Sequence, residues 1–355
     1  MIRILFVFSL LVICLPGGSQ NTFFKWFDTP DHEVIYDAAQ TSEGEYLLVG
    51  EKGVDTYPLH SFILKIGTDG SILDEKEIPD TSGISRIITI DKLPGSDNRF
   101  LLTGARDSVS GTNYYSRLFL MIINDSLEIL SLKEFFTQKN RRYNPWKTNI
   151  LSDSMFYLMY QYDTLGKTYF IPDMVVAKFR IPFDSICSFH YQCNFPTFHS
   201  QDIFLNKKDK ALYVYYFGID MLKTSSTIKV LQLSENLEYI SCKSMPEAIV
   251  TNVSASQIND SLNYVTGTIS TTLTETYRDI GCYLFNDTNG IIKSIEFFND
   301  PDTLLYGGRG GYCLLTNSST STAFITSIYN LDTDEYPWQT EPTWIQFTRT
   351  DFDLN

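Results

Sequence analysis

Glu43-Gly44-Glu45-Tyr46-Leu47-Leu48-Val49-Gly50 is followed, after residues 51–61, by Phe62-Ile63-Leu64-Lys65-Ile66-Gly67-Thr68-Asp69-Gly70. The two apolar runs are short, β-branched and aromatic, and the second ends in turn residues, so both read as strands. The pattern recurs. Aromatic-led runs stand at 100–104, 156–160, 212–216, 263–267 and 312–316, and second runs at 118–123, 174–179, 228–233, 281–285 and 344–347. Turn residues follow each second run, at 124–126, 182–184, 234–236, 287–290 and 350–353. The period is about 48 to 57 residues, six times over, and no segment carries sustained 3.6-residue apolar spacing with a cap.

A further run opens each unit, at 34–38, 84–90, 148–151, 202–205, 253–258 and 303–306, and a last one follows the turn. Four antiparallel strands in about 40–50 residues is the signature of a β-propeller blade. The expected fold is all-β, a single β-propeller of six four-stranded blades at about 34–80, 84–137, 148–195, 200–246, 252–299 and 302–355. A stacked β-solenoid is the alternative, disfavoured because its coils are much shorter. The sixth unit ends after its third strand, while Phe23-Phe24-Lys25-Trp26-Phe27 precedes unit one without a unit of its own. That N-terminal segment is expected to pair antiparallel with 344–347 and close the ring, leaving no open edge. The competing explanation is an incomplete copy of a longer chain.

The segments quoted at the outset resemble the "DGGYLLVG … FLLKLDSDG" repeats of secreted Bacteroidota β-propeller proteins, akin to delta-60-type repeats. The likeness is clear in unit one, recognisable in two, five and six, and degraded in three and four. It implies a fold rather than an activity. Members commonly carry a C-terminal sorting domain, which is not found here, so periplasm, surface and medium stay open.

Arg3, the apolar run 4–15 and Pro16-Gly17-Gly18-Ser19 form a secretory signal peptide over 1–19, cleaved after Ser19. The run is too short to span a bilayer, and no later one is long enough. Lipidation at Cys14 is disfavoured because bulky Ile13 precedes it. Cys187, Cys193, Cys242, Cys282 and Cys313 remain, an odd number placed singly in extended runs, and they read as buried thiols rather than a disulfide or zinc framework. With 28 Lys+Arg against 42 Asp+Glu, the net charge of −14 argues against nucleic acid and anionic membrane as partners. A monomer is expected.

Chemistry-bearing motifs are sparse. Gly307-Gly308-Arg309-Gly310-Gly311 precedes a strand rather than a helix and reads as a turn. His32, His60, His190 and His199 are scattered, with no zinc, calcium or nucleophile-elbow pattern nearby. No catalytic residue, metal ligand or cofactor is assigned. The unusual segment is Asn140-Arg141-Arg142-Tyr143-Asn144-Pro145-Trp146, read as a loop in which Arg141, Arg142, Tyr143 and Trp146 are candidate binding residues. Against this stands a packing role for Trp146 and ion pairing for the arginines. Long connections at 51–61, 105–117, 161–173, 268–279 and 317–342 should share one face and meet any ligand there. The leading functional expectation is an exported, non-catalytic binding or scaffold propeller recognising a protein or glycan. Its rivals are a carbohydrate-active hydrolase or lyase with carboxylates at the channel mouth, and the N-terminal part of a longer surface protein.

Overall fold

The structure is a computed structural model describing residues 24–28, 32–53, 60–78, 84–95, 98–110, 113–139, 141–164, 173–192, 197–206, 210–220, 225–244, 250–259, 262–269, 279–286, 290–297, 312–317, 321–329 and 343–351, with side chains described within 35–243. Among the described residues there is no helix, and the strands form four-stranded antiparallel sheets. Strand β1 is Phe24–Asp28. The first sheet runs β2 (His32–Gln40), β3 (Tyr46–Gly53), β4 (His60–Ile66), β5 (Ile72–Ile78). The second runs β6 (Ile84–Lys92), β7 (Arg99–Ser110), β8 (Asn113–Asn124), β9 (Ile129–Lys139). The third runs β10 (Arg141–Ile150), β11 (Met155–Thr164), β12 (Asp173–Arg180), β13 (Asp184–Gln192). The fourth comprises β14 (Thr197–Asn206), β15 (Ala211–Asp220), β16 (Ser225–Ser234) and β17 (Tyr239–Ser244). The fifth comprises β18 (Val250–Asn259), β19 (Leu262–Ile269), β20 (Asp279–Asn286) and β21 (Gly290–Phe297). In the last, β22 (Tyr312–Asn317), β23 (Ser321–Tyr329) and β24 (Thr343–Asp351) are joined by β1, with Phe24 opposite Thr348 and Asp28 opposite Trp344.

First strands adjoin in chain order, β2 with β6, β6 with β10, β10 with β14, β14 with β18 and β18 with β22, and β22 also adjoins β2. Sheets gathered by their first strands and stacked face to face make a β-propeller. Stacking explains the burial gradient within a sheet. In β4, Ser61 to Leu64 are buried on both faces because each face meets a neighbouring sheet, whereas Ile72 to Glu77 of β5, at the periphery, are largely exposed. Leu47, Val49 and Ile63 of the first sheet pack on Ile87, Phe100, Leu102 and Phe119 of the second. At Gly104 the approach is closest, since a Cβ there would lie 2.2 Å from both Arg86 O and Phe119 Cζ.

Two local devices repeat. In the first four sheets the turn into the fourth strand holds a left-handed residue, and Gly70 supplies it in the first (φ 79°). Its counterparts are Leu127, Phe183 and Leu237, also at positive φ. All three side chains are buried against the core between their own sheet and the one before. Burial of about 1.5–3 kcal/mol offsets a left-handed cost of about 1–2. The second device is a bulge in the first strand of each of the first four sheets, at Tyr36, Ile88, Trp146 and Gln201. Such a bulge re-aims the residues around it toward the first-strand side.

Three expectations need correction. The segment 141–146 is not a loop but the first half of β10, in ladder register with β11 from Arg141 opposite Thr164. Pro145 is tolerated there because it sits on a strand with one free edge, beside the bulge. Residues 105–117 are mostly strand: β7 and β8 stay paired out to Ser110 opposite Asn113. Apolar runs marked only the part of each strand that lies in the core, whereas the backbone ladder continues through polar residues. Residues 317–342 contain β23, so the sixth sheet begins at β22. The two ends of that stretch therefore belong to opposite ends of the sheet rather than to one long-loop face. The opening run at 303–306, the glycine-rich turn at 307–311 and the leader at 1–19 lie outside the described residues.

Candidate functional site

The bulges and extended hairpins bring polar side chains together at two levels along the first strands. At the inner level, Lys147 Nζ of β10 lies 2.7 Å from Asp37 Oδ1 of β2, two sheets away. Asp37 Oδ2 accepts from the Ile90 amide of β6 at 3.1 Å. Thr148 donates to Asp91, and Thr89 lies 2.7 Å from Thr103 Oγ1 and 3.3 Å from Thr148 Oγ1. Asp91 is raised to about 7, chiefly by loss of hydration, with Asp37 and Asp202 acting in the same sense and Lys147 and Thr148 opposing. This level ties three sheets together around a single ion pair. Asp37 and Asp202 are buried, which suits a fastener better than a ligand site.

The outer level lies where β2, β6 and β10 begin and the β3–β4 and β7–β8 hairpins emerge. Arg86 Nη2 donates to Asp107 Oδ2 at 3.0 Å and to Asn144 Oδ1 at 3.4 Å. Ser116 Oγ donates to Asp107 Oδ1 at 2.6 Å and accepts from the Tyr143 amide at 3.1 Å. Arg142 Nε stands 4.0 Å from Asp107 Oδ2, with 41% of its side chain exposed. Tyr36 donates to Glu51 Oε1, while Glu51 Oε2 is buried without a hydrogen bond among the described residues. Burial raises the Glu51 pKa against the pull of Tyr36, Arg86 and Arg142, with Asp107 adding to the rise. Outside this group, Arg106 and Arg117 share Glu134 at 2.5 and 3.1 Å.

Internal comparison explains Glu51. Tyr36 and Trp146 are equivalent bulge residues, and Glu51 and Gln161 are the equivalent residues beside them on the second strands. Trp146 Nε1 donates to Gln161 Oε1 at 2.7 Å, as Tyr36 donates to Glu51. Both pairs clamp a bulged aromatic side chain. In the second sheet the bulge residue is Ile88 and no clamp is needed. The position therefore asks for an acceptor, not for an acid.

Of the four residues singled out by sequence, only Arg142 brings its side chain to the outer cluster, and Tyr143 enters it through its backbone amide. Arg141 stacks over the Tyr162 ring at 4.9 Å. Tyr143 is buried between Tyr160 and Tyr162, with ring centroids at 6.3 and 6.2 Å, and Trp146 serves the bulge. Tyr36, Glu51, Arg86, Asp107 and Ser116 carry no shared mark in the sequence because each belongs to a different strand. Five of the chain's eleven arginines (Arg86, Arg106, Arg117, Arg141 and Arg142) gather on this edge, a bias visible in the sequence once the strands are placed. Among the described residues no group of three or more His, Cys, Asp or Glu is placed to hold a metal ion. Cys187 and Cys242 are free, half-buried thiols. No helix among the described residues is long and apolar enough to cross a membrane.

No protein-family model and no curated protein sequence matches the chain. Solved structures do. A protein of unknown function from Dyadobacter fermentans DSM 18053 is similar at 8% identity and a TM-score of 0.63, over 92% of this chain and 98% of that one. The β-propeller domain of the Trilobed protease from Pyrococcus furiosus gives 10% identity and 0.42, over 86% and 84%. A subtype N11 neuraminidase-like protein of A/flat-faced bat/Peru/033/2010 gives 11% and 0.44, over 92% and 93%. At these identities the likeness concerns the fold alone, and the propeller arrangement itself is read from the way the sheets gather by their first strands.

Proposed function

We propose that the chain is an exported, non-catalytic binding propeller of six blades. Its leader 1–19 is removed on export, its ring is closed by β1, and its ligand, a glycan, is met at the outer level of the first three sheets. The reading extends the resemblance to secreted Bacteroidota repeat proteins. Ring closure is supported by the pairing of β1 with β24 and the adjacency of β22 and β2. Deleting residues 24–28 removes the partner of β24 and should lower the melting temperature sharply or cause aggregation. An unchanged melting curve would remove the case for closure.

The observation carrying the binding reading is the half-exposed Arg142 beside the paired Arg86 and Asp107, on extended hairpins that rise beyond the core. Polar groups held on rigid strands are suited to recognition. A second reading, a carbohydrate-active enzyme, is favoured by the raised pKa of Glu51 beside Tyr36 and Asp107, since perturbed carboxyls cluster at catalytic sites. The Gln161 clamp weighs against it, because an amide does the same work at the equivalent position. Incubation with an oligosaccharide panel separates the two. Binding should raise the melting temperature without releasing new reducing ends. Release that is lost in Glu51→Gln would establish the enzyme instead.

A further inference from the structure

We draw no further inference here: the strongest candidate, the surface patch formed by the exposed apolar pairs Ile72-Leu73, Ile129-Leu130 and Tyr239-Ile240 that open the fourth strands of the first, second and fourth sheets, is an unpartnered apolar face, and nothing in the structure shows what covers it.

Discussion

Replacing Lys147 with Met should destabilise the protein strongly and in a pH-dependent way. Lys147 is 19% and Asp37 2% exposed at the side chain, so their 2.7 Å pair is largely shielded from water. Met keeps the stem and removes the charge, taking from the buried Asp37 its cation at 2.7 Å, with Asp91 and Asp202 nearby. Breaking one side of a buried pair costs about 3–5 kcal/mol, a large part of a typical total of about 5–15. The pH dependence follows from Asp91, which is raised to about 7 in the folded protein against 3.8 for the free side chain. Between those values the folded state holds a proton that the unfolded chain has released, so Asp91 makes stability fall as pH rises through that window. Lys147 is the cation that opposes the rise, so without it Asp91 keeps its proton to higher pH. The loss in Lys147→Met should therefore be largest near about pH 8 and smaller near about pH 5, where Asp91 is protonated in both proteins. Urea unfolding followed by tryptophan fluorescence measures both, and adding Asp91→Asn to Lys147→Met should recover part of the loss at the higher pH. Equal losses at both pH values, or a loss below about 1 kcal/mol, would refute the view that this ion pair fastens three sheets.

Other outcomes follow from the same geometry. Gly104→Ala forces a methyl group against Arg86 O and Phe119 Cζ, both 2.2 Å away, and should cost about 1–3 kcal/mol or more by thermal unfolding. Glu51→Gln should fold like the parent at low pH and become the more stable of the two as pH rises, because a carboxyl with a raised pKa loses stability above its unfolded value. A midpoint that falls with pH in both proteins alike would contradict the burial of Glu51. Trp146→Phe removes the 2.7 Å bond to Gln161 and should cost roughly 1 kcal/mol in urea, with sugar affinity unchanged. Reduced affinity there would return Trp146 to the binding surface.

Much of the fold was legible because its signals are local. The runs at 46–50 and 62–66 are apolar at consecutive positions, as strands covered on both faces must be, and turn residues punctuate them at short range. The repeat multiplied that signal, and the aromatic segment at the N-terminus stood out for having no unit of its own. Strand ends were not legible, since polar residues such as Arg106, Arg117 and Arg141 can continue a ladder without any apolar mark. In the sixth unit β23 is hard to see in the sequence for a related reason. Ser321-Thr322-Ala323-Phe324-Ile325-Thr326-Ser327-Ile328-Tyr329 alternates weakly between polar and apolar residues, which is less visible than a solid apolar run, yet it is β23.

What the sequence determined by itself was thus the unit, its strand number and the order in which units follow one another, all of them set by neighbours along the chain. What only the tertiary structure decided was the company each polar side chain keeps. Lys147 and Asp37 are 110 residues apart, and Arg142 meets Asp107 across a boundary between sheets. Bulges at Tyr36 and Trp146 turn those residues toward their partners, and no local pattern marks where a ladder will slip by one residue. The site is assembled from single residues on separate strands, so its chemistry exists only after the sheets have gathered around their first strands.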